Sequence, residues 1–209
     1  MTTRRNFITK TVLGGAAVVV SNSAMAMPAS SYRRIIGSND RLNVAIAGLG
    51  RRLGAYYDPI SNKKANVQLL YLCDVMEKQR TAGLQKFSEH ISYKPKLEND
   101  FRNVIADPKV DVLINATPDH WHAPGTIMAV KGGKHVYVEK PASHNMHENE
   151  LIVEAAKKYD KVVQMGVQQR SSEHTLEIIK EIHNGVIGTP YKAVAFYSSA
   201  RGEVPHQKK

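Results

Sequence analysis

Four short apolar runs in this chain stop on residues that can do chemistry. "LNVAIA" (42–47) stops on Gly48-Leu49-Gly50, and "VQLLYLC" (67–73) stops on Asp74. "VDVLINA" (110–116) runs into Thr117-Pro118-Asp119-His120-Trp121-His122, and "HVYV" (135–138) into Glu139-Lys140-Pro141. Gly48 and Gly50 supply a tight turn and a bare backbone that a pyrophosphate can approach. The helix start that follows offers unpaired N–H groups and a partial positive charge to phosphate. Asp74, ending the next strand, can accept hydrogen bonds from the 2′- and 3′-hydroxyls of an adenosine ribose, and it would repel a 2′-phosphate. NAD is therefore favoured over NADP. At Glu139-Lys140-Pro141 a charged pair sits at the rim of a sheet, and the proline cannot continue the ladder. A lysine is thus presented at the mouth of a site, unless it merely pairs with Glu139 at the surface.

The glycine pattern has a fault. G-x-G-x-x-G asks for a small residue at position 53, where this chain has Leu53, and Gly54 comes one place late. The following helix is expected to start one residue later or to pack less closely on the sheet. Other doubly wound proteins use glycine turns without binding a dinucleotide, so the turn by itself leaves that alternative open.

The elements that must position these residues alternate in type. Strands are expected at 42–48, 67–74, 110–115, 135–139 and in "KVVQMG" (161–166). Helices are expected at 76–90, in "HAPGTIMAVKGG" (122–133), in "HENELIVEAAKKYD" (147–160, apolar at Leu151, Ala155 and Tyr159) and in "SEHTLEIIKEIHNG" (172–185). "YKAVAFYS" (191–198) is a further expected strand. Apolar strands alternating with helices imply an α/β fold, a Rossmann-type doubly wound parallel sheet covered on both faces. Ligands of such sheets bind outside the carboxyl ends of the strands, and all four reactive clusters fall on that edge.

The chain has 209 residues, 42% hydrophobic and 23% charged, enough for one full domain and the start of another. Its formal charge is +10, but the Lys and Arg are scattered and no aromatics interleave with a basic run, which reads as a solvated surface with no nucleic-acid partner. Cys73 is the single cysteine, so no internal disulfide or cysteine-based zinc site exists. His120, His122, His144 and His147 match no metal-ligand spacing, and no metal is expected. Residues 1–26 have the layout of an export leader. Arg4-Arg5, Phe7 and Lys10 in "TRRNFITK" resemble a twin-arginine motif, the apolar run is too short to span a bilayer, and Ala24-Met25-Ala26 offers a cleavage site. Export to the periplasm or beyond, with no stable membrane anchor, is the expectation. Residues 27–40 read as a linker.

"ATPDHWHA", "GKHVYVEKP" and "NGVIGTPY" resemble the Gfo/Idh/MocA family of nicotinamide-dependent sugar and cyclitol oxidoreductases, over roughly Leu42 to Ser198. The tryptophan of "DHWH", with the leader, resembles the exported branch. The resemblance implies an NAD-binding domain over 41–172 and the beginning of a substrate domain over 173–209. It implies a cofactor held by Gly48, Gly50, Arg51, Asp74, Thr117, Pro118, Trp121, His122, Glu139, Lys140 and Gln168, with Pro141 setting a turn that is often cis in relatives. Lys140 would contact a substrate hydroxyl, stabilising a developing alkoxide or passing a proton while hydride leaves the same carbon. Arg170 is a candidate substrate contact. The substrate would be a sugar, cyclitol or glycoside. Most of the second domain's sheet, through which a homo-oligomer could form, is missing from the sequence. Two alternatives stay open: a redox glycosidase of the same fold with no net NAD turnover, and a fragment that binds nucleotide without chemistry.

Overall fold

A computed structural model describes residues 41–198. The expected leader (1–26) and the expected linker (27–40) lie outside the described residues. Six parallel strands form one sheet: β1 (Leu42–Ala47), β2 (Val67–Cys73), β3 (Lys96–Glu98), β4 (Val112–Asn115), β5 (His135–Val138) and β6 (Val163–Met165), in the order β3-β2-β1-β4-β5-β6. Among the described residues six α-helices accompany them: α1 (Tyr57–Ser61), α2 (Glu77–Ser88), α3 (Phe101–Ala106), α4 (His122–Lys131), α5 (Met146–Lys158) and α6 (Glu173–His183). The chain winds outward from β1 to β3, then returns to β4 on the other side. This reversal between β1 and β4 opens a crevice at the carboxyl edge, the expected ligand position for a doubly wound sheet.

Side chains of a strand alternate between faces, and β1 feeds two separate cores. Val44 and Ile46 pack with Leu53, Leu69, Leu72 and Phe87, whereas Ala45 and Ala47 pack with Val104, Leu113, Val130 and Val138. Both faces of the inner strands are dry, which is why these strands read as continuous apolar runs. The β1–β2 register slips between Val44 and Ala45, where Leu69 and Tyr71 are the partners, so Leu70 is an extra residue. The bulge puts Leu70 and Tyr71 on the same core and resets the alternation for the strand end that carries Asp74.

Two expectations are corrected. In α5 the buried stripe is Ile152 and Ala155 with Tyr159 packed beside it, and Leu151 is exposed, because a strict four-residue spacing drifts off a 3.6-residue helix. The α5 start is fixed by Asn145, whose side chain accepts the Glu148 N–H at 3.0 Å, while Glu148 accepts the His144 N–H at 2.9 Å. Residues 191–198 form no strand; no neighbour among the described residues completes a ladder with them, and Tyr191, Val194 and Phe196 stand exposed. The sequence reading also missed β3 and α3, which are too short to show a period. No described helix is long and apolar enough to cross a membrane.

Candidate active site

The glycine turn is built by close backbone approach. Gly48 has φ +89°, and a Cβ there would lie 2.3 Å from the Ala116 carbonyl oxygen, so no side chain fits between the ends of β1 and β4. A Cβ on Gly50 would meet nothing within 4 Å, so that backbone faces open space. Asp74 pins the turn from β2. Its Oδ2 accepts the Leu49 N–H at 2.8 Å and its Oδ1 accepts the Met76 N–H at 2.9 Å. A carboxylate has about four acceptor positions, so two remain for ligand hydroxyls. Arg80 donates to the carbonyls of Asp74 and Val75 at 2.7 and 3.1 Å, which holds the loop beyond β2.

After Gly50 the chain enters a 3-10 turn at Leu53–Tyr56 and then the five-residue α1. The sequence expectation of a full helix presenting its N-terminus is therefore corrected. Leu53 is 3% exposed and points into the core, where Gly83, buried inside α2, leaves room for it. A Cβ on Gly83 would come within 3.3 Å of Leu49 and 3.4 Å of Leu53. The small residue missing from the turn is thus supplied by the facing helix.

The loop after β4 is organised by Asn115, which is 1% exposed. Its amide donates to the His122 carbonyl at 3.0 Å, and its Oδ1 accepts the Thr117 hydroxyl at 2.6 Å. His122 is 3% exposed, with Nδ1 2.5 Å from the Pro141 carbonyl oxygen and Nε2 2.8 Å from that of Thr117. The ring lies buried and straps the loop after β4 to the loop after β5. Trp121 is exposed at this edge, with its ring edge-on to Phe101 at 6.2 Å.

Glu139 and Lys140 separate in role. Glu139 is buried, and its Oε1 accepts from Arg52 Nε at 2.7 Å and from the Tyr56 hydroxyl at 2.9 Å. Burial by itself would raise this carboxyl, but the bonds from Arg52 and Tyr56 outweigh it and hold Glu139 below the ordinary carboxylate range. The same contact raises Arg52, while burial followed by the bond to Glu139 raises the Tyr56 phenol. Lys140 is not Glu139's ion-pair partner. It is exposed, precedes a cis Lys140–Pro141 peptide, and lines a cleft of about 650 Å³ with Ser143, Asn149, Met165, Gln168 and Gln169. Arg51 and Arg170 are exposed, and Arg170 shares the 3-10 turn of Gln168.

Residues 42–167, more than half of the chain, match the family described as oxidoreductases with an NAD-binding Rossmann fold, Gfo/Idh/MocA. The chain belongs to the Gfo/Idh/MocA family. It is 27% identical over 213 aligned positions to a glycosyl hydrolase family 109 protein of Shewanella baltica, covering 93% of this chain and 45% of that protein. It is 27% identical over 150 residues to inositol 2-dehydrogenase of Salmonella typhimurium, covering 71% of this chain and 44% of that enzyme. The chain thus spans less than half the length of these curated relatives. The crystal structure of scyllo-inositol dehydrogenase from Lactobacillus casei, with bound NAD(H) and scyllo-inositol, shares the fold with a TM-score of 0.62 at 19% identity, covering 71% of this chain and 42% of that one.

Within this Gfo/Idh/MocA domain the structure brings Gly48, Gly50, Asp74, Thr117, Trp121 and Lys140 to one edge of the sheet. Sequence reasoning missed Arg52, Tyr56 and Asn115. Arg51 and Arg52 are indistinguishable in sequence, and only the 3-10 geometry turns Arg52 toward Glu139. No local pattern singles out Tyr56, and Asn115 read as the last residue of an expected strand. Among the described residues no group of three or more His, Cys, Asp or Glu side chains gathers as a metal site. Cys73 is buried at the end of β2, and burial pushes its thiol up to about 12.

Proposed function

We propose that the whole protein is an NAD-dependent oxidoreductase acting on a hydroxyl of a sugar, cyclitol or glycoside, and that this chain provides its dinucleotide half and its acid–base lysine. The observation that carries this reading is the joint presence, on one edge of the sheet, of the open backbone at Gly50, the Asp74 carboxylate with acceptor capacity to spare, and Lys140 on the wall of an open cleft. These residues fit a dinucleotide. Gly48 and Gly50 would face the pyrophosphate, Asp74 the adenosine ribose, and Thr117, Trp121 and Gln168 the remainder. The nicotinamide, when bound, supplies the hydride acceptor. Lys140 holds or moves the proton at the substrate hydroxyl, and its cationic form stabilises negative charge developing on that oxygen.

NAD is favoured over NADP because Asp74 is a fixed carboxylate that would lie against a 2′-phosphate. Fluorescence titration with NADH and NADPH tests this. Asp74→Asn should weaken NADH by about 1.5–3 kcal/mol, the range for hydrogen bonds to a charged group. Equal affinity of the parent chain for both nucleotides refutes the preference, and no binding of either refutes the dinucleotide reading. Lys140→Ala in the longest natural form of the protein should abolish oxidation while leaving NADH binding within about twofold. The likeness to a glycosyl hydrolase family 109 protein favours a second reading, a glycosidase with no net NAD turnover. Net NADH formation from a polyol or sugar excludes it. We also propose export through the twin-arginine route. A reporter fusion that is exported equally well with Arg4 and Arg5 both changed to Lys would refute that.

A further inference from the structure

Arg52 uses one of its nitrogens and leaves two. Nε donates to the buried Oε1 of Glu139 at 2.7 Å, and among the described residues its two terminal nitrogens make no hydrogen bond. The side chain is 37% exposed, against 6% for that of Glu139, so one end of the guanidinium is sealed in the protein and the other opens to solvent. Arg52 lies two residues beyond Gly50, in the same turn. Tyr56, one 3-10 turn further on, reaches the same Oε1 at 2.9 Å, and its ring is edge-on to Tyr137 at 6.4 Å. Glu139 is the residue immediately before Lys140, and its own N–H is fixed to the Asn115 carbonyl at 3.0 Å. One carboxylate therefore joins the glycine turn to the segment that presents the lysine.

We propose that Arg52, rather than Arg51, is the cationic contact for the diphosphate of the bound nucleotide, with Glu139 and Tyr56 as positioning residues that hold its guanidinium fork toward the glycine turn. The proposal rests on the dinucleotide reading above. A guanidinium is planar, with donors on several edges, and can bond a buried carboxylate with Nε while offering its terminal nitrogens to an anion. A lysine at this position has a single ammonium and cannot span both with the same geometry. The arrangement also links the two halves of the site, because an anion drawing on Arg52 pulls against the carboxylate that anchors the backbone next to Lys140.

The sign of one substitution separates this from a simple effect of charge. Glu139 is an anion near the place where another anion would bind. If it acted only through its charge, Glu139→Gln would tighten nucleotide binding. If it positions Arg52, Glu139→Gln weakens binding although a negative charge has been removed. ADP is the probe, since it carries the diphosphate without the nicotinamide ribose; a role of Glu139 confined to the nicotinamide end would weaken NADH and spare ADP. The purified chain is titrated with ADP by calorimetry and with NADH by fluorescence. Glu139→Gln and Arg52→Lys are each expected to weaken both ligands by about tenfold to 150-fold, the loss of one charge-assisted bond, and Tyr56→Phe by a smaller factor in the same direction. Thermal melts without nucleotide check that each variant is folded, and Tyr56→Phe decides the matter if Glu139→Gln is not. Unchanged or tighter ADP binding in the folded positioning variants, or in Arg52→Lys, overturns the proposal while leaving the dinucleotide reading intact; a parent chain that binds neither ADP nor NADH overturns both.

Discussion

Exchanging Leu53 and Gly83 tests how this glycine turn is packed. Leu53 is 3% exposed in the core formed with Ile46, Leu69 and Phe87, so Leu53→Ala should cost about 2–5 kcal/mol, the range for a buried leucine. Gly83→Ala carries opposing effects. Alanine favours the helix by about 1 kcal/mol over glycine. Its Cβ, however, would press on Leu49 at 3.3 Å and on Leu53 at 3.4 Å, both flexible side-chain ends that must yield. In the parent these nearly cancel, leaving a change within about 1 kcal/mol of zero. With Leu53 already cut to alanine one of the two contacts is gone, and Gly83→Ala should then stabilise by about 0.5–1 kcal/mol. The double-mutant cycle should thus show a coupling of about 0.5–1 kcal/mol in the direction of rescue. Urea denaturation of the four proteins, read by far-UV circular dichroism, measures it. Additivity within about 0.3 kcal/mol, or a Leu53→Ala cost below about 1 kcal/mol, would refute the idea that Gly83 stands in for the missing small residue.

The acid limb of stability should carry the signature of Glu139. Its folded carboxyl lies below the ordinary value of 4.5, so its stabilisation is complete above about pH 4.5 and is lost as pH falls through the folded value; Glu139→Gln should flatten the fall of melting temperature between about pH 5 and about pH 3 relative to the parent, and an unchanged slope would contradict this. Asn115→Ala should cost about 2–5 kcal/mol, because it strands the buried His122 carbonyl and the Thr117 hydroxyl together, and Asn115→Asp should cost a comparable amount by setting two oxygens against each other at the His122 carbonyl. Both are read by denaturant midpoint, and a cost under about 1 kcal/mol for Asn115→Ala would show that the loop does not depend on this hub.

The sequence determined the class of fold and the edge on which the chemistry lies. Strands buried on both faces are apolar throughout, helices have a 3.6-residue stripe, and their alternation admits little but a doubly wound parallel sheet, so β1, β2, β4, β5 and β6 were legible. Residues that must stop a strand, such as Gly48, Asp74 and Pro141, announced themselves by type. What tertiary structure alone decided is which neighbour each side chain meets. Nothing in "GRRLG" says that Arg52 turns inward to Glu139, 87 residues away, while Arg51 stays in solvent. Nothing local says that the leucine breaking the glycine pattern is accommodated by a glycine in the next helix, or that His122 faces two carbonyls inside the protein rather than the cleft. Local pattern reports only periodicity and turn chemistry, which depend on neighbours a few residues away. A buried carboxylate, a steric gap and a strap between two loops are contacts across the sheet, and they exist only once β1, β4 and β5 lie side by side. The extended segment at 191–198 makes the converse point. Its composition is that of a strand, but a strand is a pairing, and none of the described residues supplies its partner.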